Sequence, residues 1–134
     1  MMEGKCLCAA VSIKAKAGKN VEICHCGVCR RWGGGPLMAI HCGTEVQITG
    51  NNNVSIFDSS EWAERGFCKI CGTHLYYRLK QSQEYIVPAG LFQDQDGLTL
   101  KEQIFIDKKP GFYEFANRTP VLTEAQVFAK YAPK

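Results

Sequence analysis

Eight cysteines in a chain of 134 residues are the side chains most able to do chemistry here. Seven of them fall into tight clusters, with one or two residues between neighbours. The clusters are Cys6 and Cys8; Cys24, Cys26 and Cys29; and Cys68 and Cys71. A short turn can direct two thiolates at one zinc ion about 2.3 Å away, whereas the same spacing strains a disulfide between neighbours. The clusters therefore predict metal binding rather than disulfides or inert core thiols.

The pair Cys68 and Cys71 has the spacing of a zinc knuckle, and Gly72 lets the turn close with a positive φ. A closed structural zinc site needs four ligands, and Cys6 and Cys8 can supply the missing two. The ion would then close a long loop, which stabilises the fold strongly. We call this predicted set, Cys6, Cys8, Cys68 and Cys71, the four-cysteine cluster.

The remaining cysteines, Cys24, Cys26 and Cys29, are called the trio. Three protein ligands and one open position are the pattern of a catalytic zinc. We therefore expect two zinc ions per chain, one structural and one catalytic. The fourth ligand could still come from Cys42, His25, His41 or His74, although each is better explained as a core or surface side chain.

Four residues that follow the trio are candidates for substrate binding. Arg30 and Arg31 could each hold a carboxylate with two parallel hydrogen bonds, or brace an acidic neighbour. Trp32 is either a core residue or a ligand platform. Gly34 lies within Gly33-Gly34-Gly35-Pro36, which lets the backbone pass close to a ligand or forms a tight turn.

The elements that must position these residues are mostly short strands. Alternating apolar runs between turn signals predict strands at Val11–Ile13, Leu37–His41, Val46–Ile48, Val54–Phe57, Leu75–Tyr77, Tyr85–Val87 and Gln103–Ile106. A capping box at Thr123–Gln126 predicts a short C-terminal helix, with Val127, Phe128 and Tyr131 facing the sheet and Pro133 beyond its end. We expect one mainly β domain over residues 1–134.

Composition and charge narrow the class of protein. Hydrophobic residues make up 46% and charged residues 22%, as in ordinary globular proteins. The net charge of +3 is too small to indicate nucleic acid, and the early apolar run Leu7–Ile13 is too short to span a membrane. Without a recognisable targeting segment we expect a cytoplasmic protein, where a reducing environment disfavours disulfides.

Three motifs in order, GKCLC at residues 4–8, CHCGVCR at 24–30 and FCKICG at 67–72, resemble the glutathione-dependent formaldehyde-activating enzyme family. That family shares its domain with centromere protein V. The resemblance covers nearly the whole chain. It implies an Mss4-like fold of small antiparallel sheets around zinc, with structural zinc on the four-cysteine cluster and a second zinc on the trio.

The resemblance also implies a function. The open position of the second zinc would meet the thiol of glutathione or a similar small thiol, and addition to a small aldehyde would give an S-hydroxymethyl adduct, as in a carbon–sulfur lyase. Nucleic acid and membrane are not expected partners. Two alternatives remain: a non-enzymatic zinc-binding interaction module on the same fold, and a redox-sensing thiol cluster at the trio.

Overall fold

A computed structural model describes residues 1–131 of the chain. Pro133, expected beyond the C-terminal helix, lies outside the described residues. The chain divides into two compact units. The first combines residues 1–19 with 39–98, and the second combines residues 20–38 with the chain from Thr99 onward. The expectation of one domain over residues 1–134 stays a prediction.

Short strands dominate the described chain, so the predicted mainly β class with a short C-terminal helix is confirmed. The strands are β1 (Met2–Lys5), β2 (Ser12–Ala15), β3 (Asn20–Cys24), β4 (Leu37–Gly43), β5 (Val46–Thr49), β6 (Val54–Phe57), β7 (Ala63–Cys68), β8 (His74–Leu79), β9 (Tyr85–Pro88), β10 (Thr99–Ile104) and β11 (Val121–Leu122). The helices are α1 (Gly27–Gly33) and α2 (Glu124–Tyr131), and 3-10 turns occur at Asn51–Asn53, Ala89–Leu91 and Ile106–Lys108.

The first unit contains antiparallel pairings in the strand orders β1-β2-β5 and β4-β9-β8-β7-β6. Side chains of β2 point alternately to the core and to solvent, because Ile13 and Ala15 are buried whereas Lys14 between them is exposed. Its core is aliphatic and aromatic, and the side chains buried there include Val11, Ile13, Ile40, Leu75, Val87 and Phe92.

Packing in this unit requires a glycine beneath a tyrosine ring. Gly66 in β7 pairs with Tyr76 in β8, and a Cβ added at Gly66 would lie 2.4 Å from the Tyr76 ring carbon Cζ. The ring has little freedom to move, because Tyr76 is buried and packs edge to face on Tyr85 with ring centroids 4.9 Å apart.

We therefore expect Gly66→Ala to lower the free energy of unfolding by about 1–3 kcal/mol, as overpacked cores do. Urea denaturation monitored by circular dichroism measures the change. The matched control is Gly18→Ala, because an added Cβ there meets nothing within 4 Å. Equal stability of the two variants would contradict the packing argument.

The second unit pairs its strands in parallel, in the order β11-β10-β3. Antiparallel sheets were expected from the sequence, so this parallel pairing was not predicted. Val21 and Ile23 alternate as the buried residues of β3. The strand predicted over Gln103–Ile106 begins earlier and ends at Ile104, because Phe105 adopts a left-handed conformation with φ of 56° and a 3-10 turn follows.

Helix α2 begins with the predicted capping box. The Thr123 hydroxyl accepts a hydrogen bond from the Gln126 N–H at 3.2 Å, and the Thr123 N–H donates to the Gln126 side chain at 2.7 Å. Val127 is buried as expected. The expectation that Phe128 and Tyr131 face the sheet was wrong, because they are 43% and 54% exposed. No helix in the described chain is both long and apolar enough to cross a membrane.

Candidate metal centres

The four-cysteine cluster converges within the first unit. The sulfur atoms of Cys6, Cys8, Cys68 and Cys71 all lie within 4.8 Å of one another. The Cys6–Cys8 and Cys8–Cys68 sulfur separations are both 3.7 Å. Two sulfurs on a tetrahedral zinc, each at its normal bond length, are about 3.8 Å apart. The donor set and its spacing therefore fit one four-thiolate zinc ion.

Two tight turns direct these sulfurs. The Gly72 N–H donates to the Cys68 carbonyl at 2.8 Å, and Gly72 has the positive φ, 80°, that its place in the knuckle predicts. The Ala9 N–H likewise donates to the Cys6 carbonyl at 3.0 Å, but there the left-handed residue is Ala9, with φ of 66°. An alanine in this conformation is strained, so the surrounding contacts must hold the turn in place.

Hydrogen bonds to the sulfur atoms of the four-cysteine cluster favour their thiolate form. The Val11 N–H donates to the Cys6 sulfur at 3.3 Å. The Thr73 hydroxyl lies 3.1 Å from the Cys71 sulfur and accepts from the Leu7 N–H at 3.1 Å, which links the two turns. The bond from Thr73 lowers the pKa of Cys71 to about 5. Because a metal ligand must be a thiolate, these contacts favour the binding form.

The trio converges within the second unit. The sulfur atoms of Cys24, Cys26 and Cys29 lie within 4.8 Å of one another. Cys24 is the last residue of β3, and Cys29 lies in the first turn of α1. Cys26 is the residue that caps α1, and its sulfur accepts a hydrogen bond from the Cys29 N–H at 3.3 Å. The trio therefore occupies a strand end, a helix cap and a helix turn.

The thiols of the trio differ in pKa. Hydrogen bonds from Cys24 and Cys29 hold the pKa of Cys26 far below its ordinary value, and the contact with Cys26 raises the pKa of Cys24. Because packed thiolates repel one another, three thiolates this close are favourable only beside a cation. Three thiolate ligands suit zinc, and they leave one of its four positions for another ligand.

Helix α1 was not predicted, and it places the four candidate substrate residues. The Arg30 Nε donates to the His25 carbonyl at 3.1 Å, which ties the arginine to the backbone between Cys24 and Cys26. Arg31 is exposed and Trp32 is half-buried. Gly34 ends the helix with φ of 87°, and its N–H donates to the Arg30 carbonyl at 2.7 Å. Substrate binding by these residues stays a prediction.

His25 does not point into the trio. Its side chain is fully buried, with Nε2 at 2.8 Å from the Gln103 Oε1 and Nδ1 at 2.7 Å from the Tyr113 hydroxyl. Burial lowers the pKa of His25. Both ring nitrogens are thus engaged, which agrees with the interpretation of His25 as a core side chain rather than a metal ligand.

Tyr113 is a residue near the trio that the sequence reasoning missed. Burial raises the pKa of its hydroxyl, while the positive charge of Arg30 lowers it and the charge of Cys24 raises it. Its ring packs on the His25 ring with centroids 5.6 Å apart. Tyr113 lies 88 residues from His25 in the chain, so no local pattern could have revealed this contact.

The other possible ligands lie outside both clusters. Among the described residues, the groups of three or more ligand atoms that converge consist of cysteines alone. Cys42 is buried, its thiol donates to the Ile40 carbonyl at 3.5 Å, and burial raises its pKa to about 11. It has the properties of a core thiol. His41 and His74 belong to neither group.

Together, these features define a small mainly β fold with two cysteine clusters whose geometry suits metal ions. The chain belongs to the glutathione-dependent formaldehyde-activating enzyme family, whose model matches residues 1–108. It is 40% identical over 127 residues to an uncharacterized lyase of Schizosaccharomyces pombe, with 93% of each chain covered.

A solved structure supports the fold alone. The crystal structure of a Rhodobacter sphaeroides protein matches with a TM-score of 0.59 at 24% identity, covering 69% of this chain and 88% of that one. The family model and the Schizosaccharomyces pombe relative confirm the predicted family, and the solved structure supports the predicted fold.

Proposed function

We propose that this protein is a lyase-type enzyme that joins a small thiol, glutathione or a close analogue, to a small aldehyde such as formaldehyde, or cleaves the adduct. The observation that carries the proposal is the trio, three convergent thiols with the chemistry of an incomplete zinc site. Membership of the glutathione-dependent formaldehyde-activating enzyme family supports this choice of substrates. We also propose zinc as the metal in both clusters and a cytoplasmic location.

The reaction is an addition without a leaving group. The sulfur of the thiol forms a bond to the aldehyde carbon, the carbonyl π bond breaks, and the thiol proton ends on the aldehyde oxygen. The product is an S-hydroxymethyl thioether, and cleavage is the reverse. Zinc in the trio would supply the positive charge that lowers the pKa of a thiol placed beside it.

The chain itself would bind and orient the thiol compound. Arg30 is better placed than Arg31 to hold a carboxylate, because its Nε is already fixed to the His25 carbonyl at 3.1 Å. That bond uses one of the five guanidinium N–H groups and leaves the terminal nitrogens for a ligand. Holding the thiol compound by a carboxylate would present its sulfur in a fixed geometry, which accounts for much of the rate in such additions.

A titration of the cobalt-substituted protein with glutathione tests the proposed site. Cobalt reports thiolate number and geometry through its visible absorption, where zinc is silent. We expect a saturable change in the wild-type spectrum and no change in Cys26→Ser. If the spectrum ignores glutathione while two metals are bound, the trio is closed to thiols, and a zinc-binding module without activity becomes the better description.

Catalysis is tested by following the adduct by NMR in mixtures of glutathione and formaldehyde. Because the two also combine spontaneously, the enzyme must raise the rate of exchange between free and adduct signals above that of the protein-free mixture. Cys42→Ser is the matched control, since it removes a thiol outside both clusters. Equal rates with and without the wild-type protein would refute the proposed activity.

We expect Arg30→Lys to raise the dissociation constant for glutathione by roughly tenfold, because lysine cannot form the two parallel bonds to a carboxylate. Arg31→Lys should have a smaller effect, since Arg31 is exposed. The cobalt titration measures both. A larger effect at Arg31 would reverse the assignment.

A further inference from the structure

His25 has all four of its hydrogen-bonding groups engaged within the second unit. Its backbone N–H donates to the Ile104 carbonyl at 3.1 Å, and its own carbonyl accepts from Arg30. Its two ring nitrogens contact Gln103 and Tyr113 at 2.8 Å and 2.7 Å. A residue bonded in this way, with a side chain 0% exposed, has little freedom to move.

The donor and the acceptor in each of these hydrogen bonds follow from the contact between Gln103 and Thr119. The Gln103 Nε2 donates to the Thr119 hydroxyl at 3.2 Å, so the Gln103 Oε1 faces His25 and can only accept. A neutral imidazole has one donor and one acceptor. His25 therefore donates from Nε2 to Gln103 and accepts at Nδ1 from the Tyr113 hydroxyl. The network has one consistent direction, from Tyr113 through His25 and Gln103 to Thr119.

The network holds the segment that carries two members of the trio. His25 lies between Cys24 and Cys26, so fixing its ring and both of its backbone groups fixes the peptide units on either side. The cysteine side chains on those units are thereby held where their sulfur atoms converge. A site that is already formed loses less conformational freedom when it binds an ion.

We infer that His25, Gln103 and Tyr113 are positioning residues for the trio, which hold the segment from Cys24 to Cys26 in the shape that receives the metal. This inference rests on the proposed role of the trio as a metal site. Tyr113 and Thr119 lie beyond residues 1–108, which the family model matches. This end of the network is thus supplied by the C-terminal part of the chain.

The test uses Tyr113→Phe and Gln103→Leu in the full-length protein as purified. Amide hydrogen exchange of the segment from Cys24 to Arg30 should become about tenfold faster in each variant, because a buried nitrogen of His25 loses its partner. The affinity of the trio for zinc, measured by competition with a chelator, should fall roughly tenfold to a hundredfold. The four-cysteine cluster, which has one more protein ligand, provides an internal standard, and its affinity should not change.

Two further variants separate positioning from general destabilisation. Tyr76→Phe removes the hydroxyl of a buried tyrosine in the first unit and should leave both readouts at the trio unchanged. Gln103→Glu keeps an oxygen that can accept from His25, so it should recover most of the zinc affinity that Gln103→Leu loses. If Gln103 only filled space in the core, the leucine and glutamate variants would lose similar amounts of zinc affinity.

The outcomes also separate this inference from the proposed function. Faster exchange with unchanged zinc affinity would overturn the positioning role, as would unchanged exchange in Tyr113→Phe. If the wild-type protein holds zinc in the four-cysteine cluster only, the proposed function fails, and the positioning role for a metal falls with it. If zinc affinity falls as expected in a protein that shows no turnover, the positioning role stands without the activity.

Discussion

Replacement of Cys26 by serine is expected to remove one of the two proposed metal ions and to abolish the proposed thiol–aldehyde reaction while the fold survives. Serine is a preferred helix-capping residue, so it can replace the cysteine sulfur that accepts from the Cys29 N–H at 3.3 Å. It cannot replace the thiolate. Because bound metals contribute several kcal/mol to catalysis in such sites, the rate should fall by roughly a hundredfold or more.

Metal content, unfolding temperature and adduct formation, measured on the same preparation, test this prediction. Cys42→Ser is the matched control, because the Cys42 thiol is buried and bonded to the Ile40 carbonyl but belongs to neither cluster. It should keep both metals and most of the rate. Full activity in Cys26→Ser would show that the trio is not the reaction site.

Replacement of Cys68 by serine is expected to cause the largest loss of stability of any single cysteine change. Cys68 is 0% exposed and its sulfur lies 3.7 Å from that of Cys8, which is 60 residues away in the chain. Removing it would take one thiolate from a site whose binding free energy contributes to folding. We expect a loss of more than about 4 kcal/mol and a fall of roughly 10 °C or more in the unfolding temperature.

Thermal unfolding with and without a strong chelator measures this effect. The chelator should destabilise the wild-type protein strongly and Cys68→Ser hardly further, because the variant has already lost that metal. Cys26→Ser should lose much less stability than Cys68→Ser, since a metal in the trio would have three protein ligands rather than four. Similar losses in the two variants would contradict the division into a structural and a catalytic site.

The pairing of the cysteines could be predicted from sequence because it depends on spacing and on the number of ligands that zinc takes. Cys68, Cys71 and Gly72 form a local turn whose geometry is readable from three residue types. Once that turn was recognised, Cys6 and Cys8 were the pair available to complete it. The structure brings these sulfurs together at the separation that zinc requires.

The surroundings of the trio could not be predicted in this way. Helix α1 has seven residues, begins and ends with glycine, and shows no amphipathic period long enough to detect. Its limits depend on the Cys26 and Gly34 caps, which become visible only in the folded chain. The partners of His25 are Gln103 and Tyr113, which are distant in sequence, and no sequence pattern predicts their contact with His25.

The strands that were predicted are short apolar runs between turn signals. β6 occurs with the predicted bounds, Val54–Phe57, and β9 extends the predicted run by one residue. β1, β3, β7 and β11 were missed. β7 contains Glu64 and Gly66 in its centre, two residue types that are depleted in strands, and it forms because it is paired on both sides.

The parallel pairing of β3 with β10 has a consequence for the order in which the protein matures during synthesis. The four-cysteine cluster lies in the first unit, which ends at Leu98, so its ligands and the contacts of Thr73 are synthesised before the residues that support the trio. The trio segment is contacted by Ile104, Gln103 and Tyr113, near the end of the chain. A ribosome-bound intermediate would thus carry a completed first site and an unsupported second one, so the trio thiols are most vulnerable to oxidation while the protein is being synthesised.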